Sequence, residues 1–240
     1  RGYVRDTTNK ALVKQTDLML DFATGGIRHD LVAGVAFSHE TFRLDTSSLF
    51  RNANGSTTGI VLPTMDMFSP DSTWTGPVRQ TLTGKTDGEQ DNAAIYLFDT
   101  LTFNDQWQAN VGLRQERNEG SSTIYTVSTT APNIGAVTGA AAPAKNSDDL
   151  FSYRAGLVYK PRANGSVYLA HGNAKTPSKA SVNGSCTAVS STGTANCNVA
   201  PESAVNTELG TKWDFNNGRL SFTAAIFRNE RENYRVADPD

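Results

Sequence analysis

The feature that most constrains this chain is a two-residue rhythm, clearest over residues 201–239. Thr207, Leu209, Thr211, Trp213 and Phe215 fall on one side of an extended chain, and Asn206, Glu208, Gly210, Lys212 and Asp214 fall on the other. That is the period of two a strand demands. Asn216-Asn217-Gly218 supplies residues that tolerate the positive φ of a tight hairpin turn. Leu220, Phe222, Ala224 and Ile226 then resume the alternation against Ser221, Thr223 and Ala225. A tall hairpin with one apolar and one polar face is the unit to explain.

The same unit recurs three times upstream. Thr16, Leu18, Leu20 and Phe22 alternate with polar partners, Ala23-Thr24-Gly25-Gly26 turns the chain, and Leu31, Ala33, Val35 and Phe37 return it. A second hairpin turns at Asn104-Asp105-Gln106. Its return strand sets Trp107, Ala109, Val111 and Leu113 against Gln108, Asn110, Gly112, Arg114 and Glu116. Residues 93–98 are apolar at every position, so alternation does not assign their faces. A third hairpin carries Phe151, Tyr153, Ala155, Leu157 and Tyr159 on one face and turns at residues 161–165. The expected fold is all-β, with about eight antiparallel strands in four hairpins near 10–23/30–44, 88–103/107–119, 149–160/166–175 and 203–215/219–235.

Between the hairpins the rhythm disappears, over about 45–86, 120–148 and 176–200, in stretches rich in Gly, Ser, Thr, Asn and Pro. Short turns alternating with long loops are what a transmembrane barrel needs. Strands of this length, at ~3.3 Å per residue, exceed the hydrocarbon thickness even when tilted. Leu209, Trp213, Leu220, Phe222, Ile226, Leu157 and Val111 are expected to face lipid, with Glu208, Lys212, Arg114 and Arg154 on the opposite, concave side. A charge at Leu220 or Phe222 is expected to cost about 2–4 kcal/mol if it lies at the bilayer midplane. A hydrophobic share of 38% and mean hydropathy of −0.42 leave no stretch long enough for a membrane helix. Barrels look hydrophilic on average, so these values do not exclude a membrane. A net charge of −2 gives no sign of a nucleic-acid partner.

Three segments resemble a known family. One is Pro201-Glu202 through Glu208-Leu209-Gly210-Thr211-Lys212-Trp213, then Gly218-Arg219-Leu220 and Ala224-Ala225-Ile226-Phe227-Arg228, closing at Asp238-Pro239. Another is Ala94-Ile95-Tyr96-Leu97-Phe98-Asp99-Thr100 with Trp107 and Gly112-Leu113-Arg114. The third is Asp21-Phe22, Gly25-Gly26-Ile27-Arg28-His29 and the run from Leu31 to Gly34. They resemble the TonB-dependent outer-membrane siderophore receptors, and among them those for iron–catecholate complexes. The resemblance implies a segment of a barrel of about 22 strands, with residues 1–240 an internal part of it. The plug domain is then expected upstream and further strands downstream. It also implies uptake of a ferric siderophore at the bacterial cell outer membrane, with a TonB complex pulling on the plug. Iron would enter only inside its siderophore, no bond would be made or broken, and no enzyme activity or resident cofactor is expected. The alternatives are a porin or a haem or cobalamin receptor and, from a different class, a secreted β-sandwich adhesin or lectin.

Candidate ligand contacts follow from charge. A ferric catecholate is an anion bearing aromatic rings, so arginine and aromatic side chains complement it. Arg114 and Arg154 occupy the polar register of their strands, and Trp74, Arg79 and Tyr125 fall in the long connections. Barrel interiors also hold many arginines that only pair with acids across the wall. Cys186 and Cys197, enclosing ten residues within one loop, suit a disulfide in an exported protein. It would stabilise by roughly 3 kcal/mol in the chain-entropy model. His29, His39 and His171 belong to different hairpins and are read as scattered strand-end or turn residues, and no metal site is expected. The sequons at Asn54, Asn164 and Asn183 are read as turns.

Overall fold

The computed structural model describes residues 2–177 and 200–233. All of its regular structure is strand: β1 Tyr3–Thr24, β2 Ile27–Ser48, β3 Thr81–Thr102, β4 Trp107–Val127, β5 Val137–Ala140, β6 Ala144–Arg162, β7 Gly165–Thr176, β8 Glu202–Phe215 and β9 Leu220–Glu232. They form one antiparallel sheet in the order β1-β2-β3-β4-β6-β7-β8-β9, with β5 added beside β4. Each long strand pairs with its sequence neighbour, as expected from four hairpins. The short β5 is a ninth strand that alternation did not reveal. No second sheet covers this one among the described residues, which removes the sandwich alternative.

Turn chemistry explains the hairpins. Gly25 and Gly26 both have positive φ, 57° and 88°, the mirror-image turn whose twist matches paired strands. Asn216, Asn217 and Gly218 do the same at 56°, 54° and 80°. Asn104 accepts the N–H groups of Gln106 and Trp107 on its Oδ1, each at 2.9 Å. Asn164 Nδ2 donates to the Asp214 carbonyl at 2.9 Å and ties the third turn to the fourth hairpin. The short turns all lie at one end of the sheet and the long connections leave from the other, because every long strand is antiparallel to its neighbours.

The strands run further toward the loop end than the alternation indicates. Asp45 faces Lys85 and Lys85 faces Tyr125 in continuous ladders. The first long connection therefore shrinks to residues 49–80, and the second to 128–143 with β5 inside it. At ~3.3 Å per residue, the 22-residue strands β1, β2 and β3 reach about 70 Å. That is more than twice a hydrocarbon core of about 30 Å. The upper parts project beyond it, where both faces meet water and no apolar period is needed. Hydrogen bonding continues there with no signal in the side chains.

Register joins the apolar sides into one face. Leu18, Ala33, Leu97, Leu113 and Tyr153 lie in one row. Leu157, Leu169, Leu209 and Ile226 lie in another. Trp213 pairs with Phe222, and Val111 with Ala155. The expected lipid-face residues share this side, while Glu208, Lys212, Arg114 and Arg154 share the other. The apolar side is uncovered: Ile95 is 62% exposed, Leu209 46% and Ile226 71%. The buried apolar side chains among the described residues are Ala94, Tyr96, Ala144 and Leu150. A water-soluble sheet could not leave such a surface open. Rings gather at the turn end of the band, with Trp107 stacked on Tyr159 at 4.6 Å and Trp213 on Phe215 at 6.5 Å. This is the placement of an interfacial aromatic girdle.

One carboxylate intrudes on the apolar face. Asp99 accepts from His29 Nδ1 at 2.7 Å, His29 Nε2 meets Thr24 Oγ1 at 2.7 Å, and the imidazole stacks on Phe22 at 4.8 Å. Its partners lie beside the turns, at the wet end of the band.

Leu220 opens β9 beside its turn, so a midplane penalty applies instead to Leu97 or Leu169, further up the wall. Leu97→Arg is expected to cost about 2–4 kcal/mol in urea unfolding from lipid vesicles. Ser152→Arg, on the polar face, should cost under about 1 kcal/mol. Equal costs would mean that the apolar face does not meet lipid.

Candidate functional site

The polar face is organised by aromatic rings laid over glycines. Tyr96 pairs with Gly34, Phe98 with Gly112, and Tyr168 with Gly210. In each pair the ring occupies the space that a Cβ on the glycine would need. Each ring also carries a cation: Arg114 lies over Tyr96 at 5.5 Å, Arg154 over Phe98 at 4.5 Å, and Lys212 over Tyr168 at 5.5 Å. The tyrosine hydroxyls reach acids, Tyr96 donating to Asp17 and Tyr168 to Glu208 Oε1 at 2.5 Å. Residues 93–98 are thereby assigned. Ala93, Ile95 and Leu97 join the apolar side, while Ala94, Tyr96 and Phe98 join the polar one. Alternation missed these rings, because their glycine partners become visible only once register is known.

The two predicted strand arginines differ. Arg114 Nε donates to Glu116 Oε2 at 2.6 Å, and Glu116 also accepts from Asn92 Nδ2 at 2.8 Å. Arg114 is thus held within a wall ion pair. Arg154 rests on its phenyl ring with no carboxylate partner among the described residues. Trp74 does lie on the loop of residues 49–80, stacked on Phe50 at 4.0 Å. The Arg79 N–H closes that loop's base on the Leu49 carbonyl at 2.7 Å. The same loop presents Met67 and Phe68, 81% and 90% exposed. Asp66 and Asp71 cap its turns, and the Thr73 N–H on Asp71 Oδ1 at 2.9 Å holds that carboxyl below its usual range.

Tyr125 requires a correction. It belongs to β4, not to a long connection, and shares a side with Val111 and Leu113, away from Arg114 and Arg154. Lys85 Nζ covers its ring at 4.7 Å. The backbone ladder extends to this position without any apolar period to announce it. Cys186, Cys197 and Asn183 lie outside the described residues. Each histidine is tied to a near neighbour: His29 to Asp99, His39 Nδ1 to Asp91 at 2.7 Å, and His171 Nδ1 to Thr207 at 2.8 Å. No cluster of three or more His, Cys, Asp or Glu side chains suited to a metal occurs among the described residues.

The family model described as TonB dependent receptor-like, beta-barrel matches residues 1–240. The chain belongs to this family. Its apolar side is therefore the barrel exterior and its polar side the lumen wall. The chain is 32% identical to the catecholate siderophore receptor Fiu of Escherichia coli O6:H1, over 95% of this chain and 30% of that receptor. It is 29% identical to the probable TonB-dependent siderophore receptor PiuA of Acinetobacter baumannii, over 96% of this chain and 31% of PiuA. The crystal structure of the ferric-catecholate import receptor Fiu from E. coli K12, in its closed form, superposes with a TM-score of 0.76 at 28% identity. That superposition covers 98% of this chain and 33% of Fiu. The chain spans about a third of the length of these relatives.

Gly34→Val would drive a branched side chain into the Tyr96 ring. A destabilisation of about 1–3 kcal/mol is expected from such overpacking, read by urea unfolding. Adding Tyr96→Ala should recover part of it. A fully additive double mutant would show that ring and glycine do not depend on each other.

Proposed function

We propose that this chain is the wall-and-loop portion of a bacterial outer-membrane receptor that takes up a ferric siderophore, of the catecholate class, energised through TonB acting on a plug domain outside these residues. The observation that carries this reading is the likeness to Fiu across almost the whole chain, in sequence and in fold. The two-faced wall fits it, with an uncovered apolar exterior and a lumen side carrying cations on aromatic rings. Iron is cargo inside its ligand, and the reading needs no resident cofactor and no catalytic residue. A passive porin, or a receptor for haem or cobalamin, has no comparable support.

Ligand capture is assigned to the loop end. Residues 49–80, 128–143 and 177–201 all leave the same rim, where binding groups can vary without disturbing the wall. Trp74, Arg79 and the exposed Met67 and Phe68 form the arm that would meet an anionic aromatic complex first. Arg114, occupied by Glu116, is assigned to the wall, and Tyr125 to its exterior. Arg154 is the strand cation left for an anion inside.

Replacing residues 55–76 by a short Gly/Ser linker in the full-length receptor is expected to weaken ferric-catecholate binding at least tenfold, measured on outer membranes. Heat-modifiable gel migration should be retained. Two residues inserted between Gly25 and Gly26 should instead impair assembly. Unchanged binding after replacement of all three connections, in a folded barrel, would move the ligand site elsewhere.

A further inference from the structure

Arg154 is set apart from Arg28, Arg114, Arg231 and Lys212, which share its side of the wall. Arg28 meets Asp30, Arg114 meets Glu116, and Arg231 meets Glu202 at 3.6 Å. Lys212 shares its ring with the Tyr168–Glu208 pair. Around Arg154 the lumen-facing positions are Asn110 and Gly112 on β4, Gly156 on β6, Ala170, Gly172 and Ala174 on β7, and Ala204 and Asn206 on β8. None is acidic. Glu208, the next lumen-facing acid on β8, is turned to Tyr168, and Glu116 on β4 is shared between Arg114 and Asn92.

These small residues leave a depression of about 480 Å³, bounded by Arg154, Asn110, Asn206, Asn229 and Arg231. The guanidinium rests in it against one ring, and the backbone behind it is closely packed. Phe98 holds one face at 4.5 Å. Gly172 lies so close that a Cβ there would stand 2.8 Å from the Tyr153 carbonyl and 3.2 Å from Arg154 Cα. Asn110 lies flat over Gly156, its amide 2.7 Å from where a Cβ would be. The β6–β7 ladder ends at Arg154 and Gly172. Above it the Asn173 side chain replaces a strand, accepting from the Tyr153 N–H at 2.7 Å and donating to the Phe151 carbonyl at 3.1 Å. Arg154 therefore stands at the last rung, in a recess where β6 and β7 part.

We propose that this recess is a carboxylate-binding site on the lumen wall. A guanidinium stacked on a ring keeps its N–H edge free, and that fork matches the two oxygens of a carboxylate. The carboxylate is carried either by a soluble ligand or by an Asp or Glu of polypeptide that fills the lumen. The site stands on the polar face being the lumen wall and does not depend on the catecholate reading.

The test uses the full-length receptor in detergent micelles, with Arg154→Lys placing a primary amine in the recess. Treatment with a water-soluble carbodiimide, with and without sodium succinate, joins that amine to any carboxylate held against it, and peptide mass spectrometry reads the product. Amide formation at position 154 is expected at least tenfold faster than at Lys160, an exposed lysine on the same strand. Phe98→Ala, added to the first variant, should remove most of that advantage. A succinyl adduct identifies a soluble carboxylate as the occupant, and a cross-link to an Asp or Glu outside the described residues identifies polypeptide. Reaction no faster than at Lys160, or a cross-link only to Glu202 or Glu208 of this wall, overturns the site. Ferric-catecholate binding by the unmodified receptor is measured in parallel, so loss of the receptor reading and loss of this site are separate results.

Discussion

Everything in this molecule depends on backbone hydrogen bonding that cannot be supplied by solvent. Across a hydrocarbon layer an unpaired N–H or C=O costs several kcal/mol, so a strand can cross only beside partners on both sides. The ladders from β1 to β9 meet that demand through most of the apolar band, and where the β6–β7 ladder ends the Asn173 side chain takes over the bonds. With the backbone satisfied by neighbours, side chains are free to specialise by face. One side need only be apolar, and the other can hold charges, amides and rings. The wall is one layer thick, so the usual buried core is almost absent and lipid takes its place.

A single-layer wall must still be held in register, and the lumen side does this with cross-strand packing. A ring laid over a glycine fills the gap left by the missing side chain and reaches the next strand. Tyr96 connects β1 to β3 through Asp17, and Tyr168 bonds Glu208 two residues from the glycine it covers. Of the cations on these rings, Arg114 is also paired with an acid, Glu116. Arg154 follows the same plan on Phe98, which has no hydroxyl to bond an acid. Among the described residues Arg154 has neither an acid on its ring nor one beside it on its strand, and that leaves a ring-held cation open to an outside partner.

The loop end follows a different rule. Above the bilayer both faces of the sheet are wet, strands continue because paired backbone is stable there too, and turn residues such as Asp66 and Asp71 shape the connection of residues 49–80. That connection carries large apolar side chains, Phe68 and Met67 among them, into solvent. Such groups are costly to display without a purpose, and they stand at the rim from which a ligand would approach the lumen.

The sequence by itself determined the strand class, the four hairpins, their turns and the side each band residue takes, because lipid on one face and a polar lumen on the other write a period of two into the side chains. It also determined the family, through hairpin segments such as Glu208 to Trp213. Tertiary structure alone decided where the strands end, since the ladders beyond Phe37 and Arg117 run through water on both sides and leave no such period. For the same reason it moved Tyr125 out of a loop and added β5. It alone decided the site as well. Arg114 and Arg154 look equivalent in the sequence, both at lumen-facing positions. Glu116 stands two residues from Arg114 on the same strand, but only register sets a phenyl ring among glycines and alanines against Arg154.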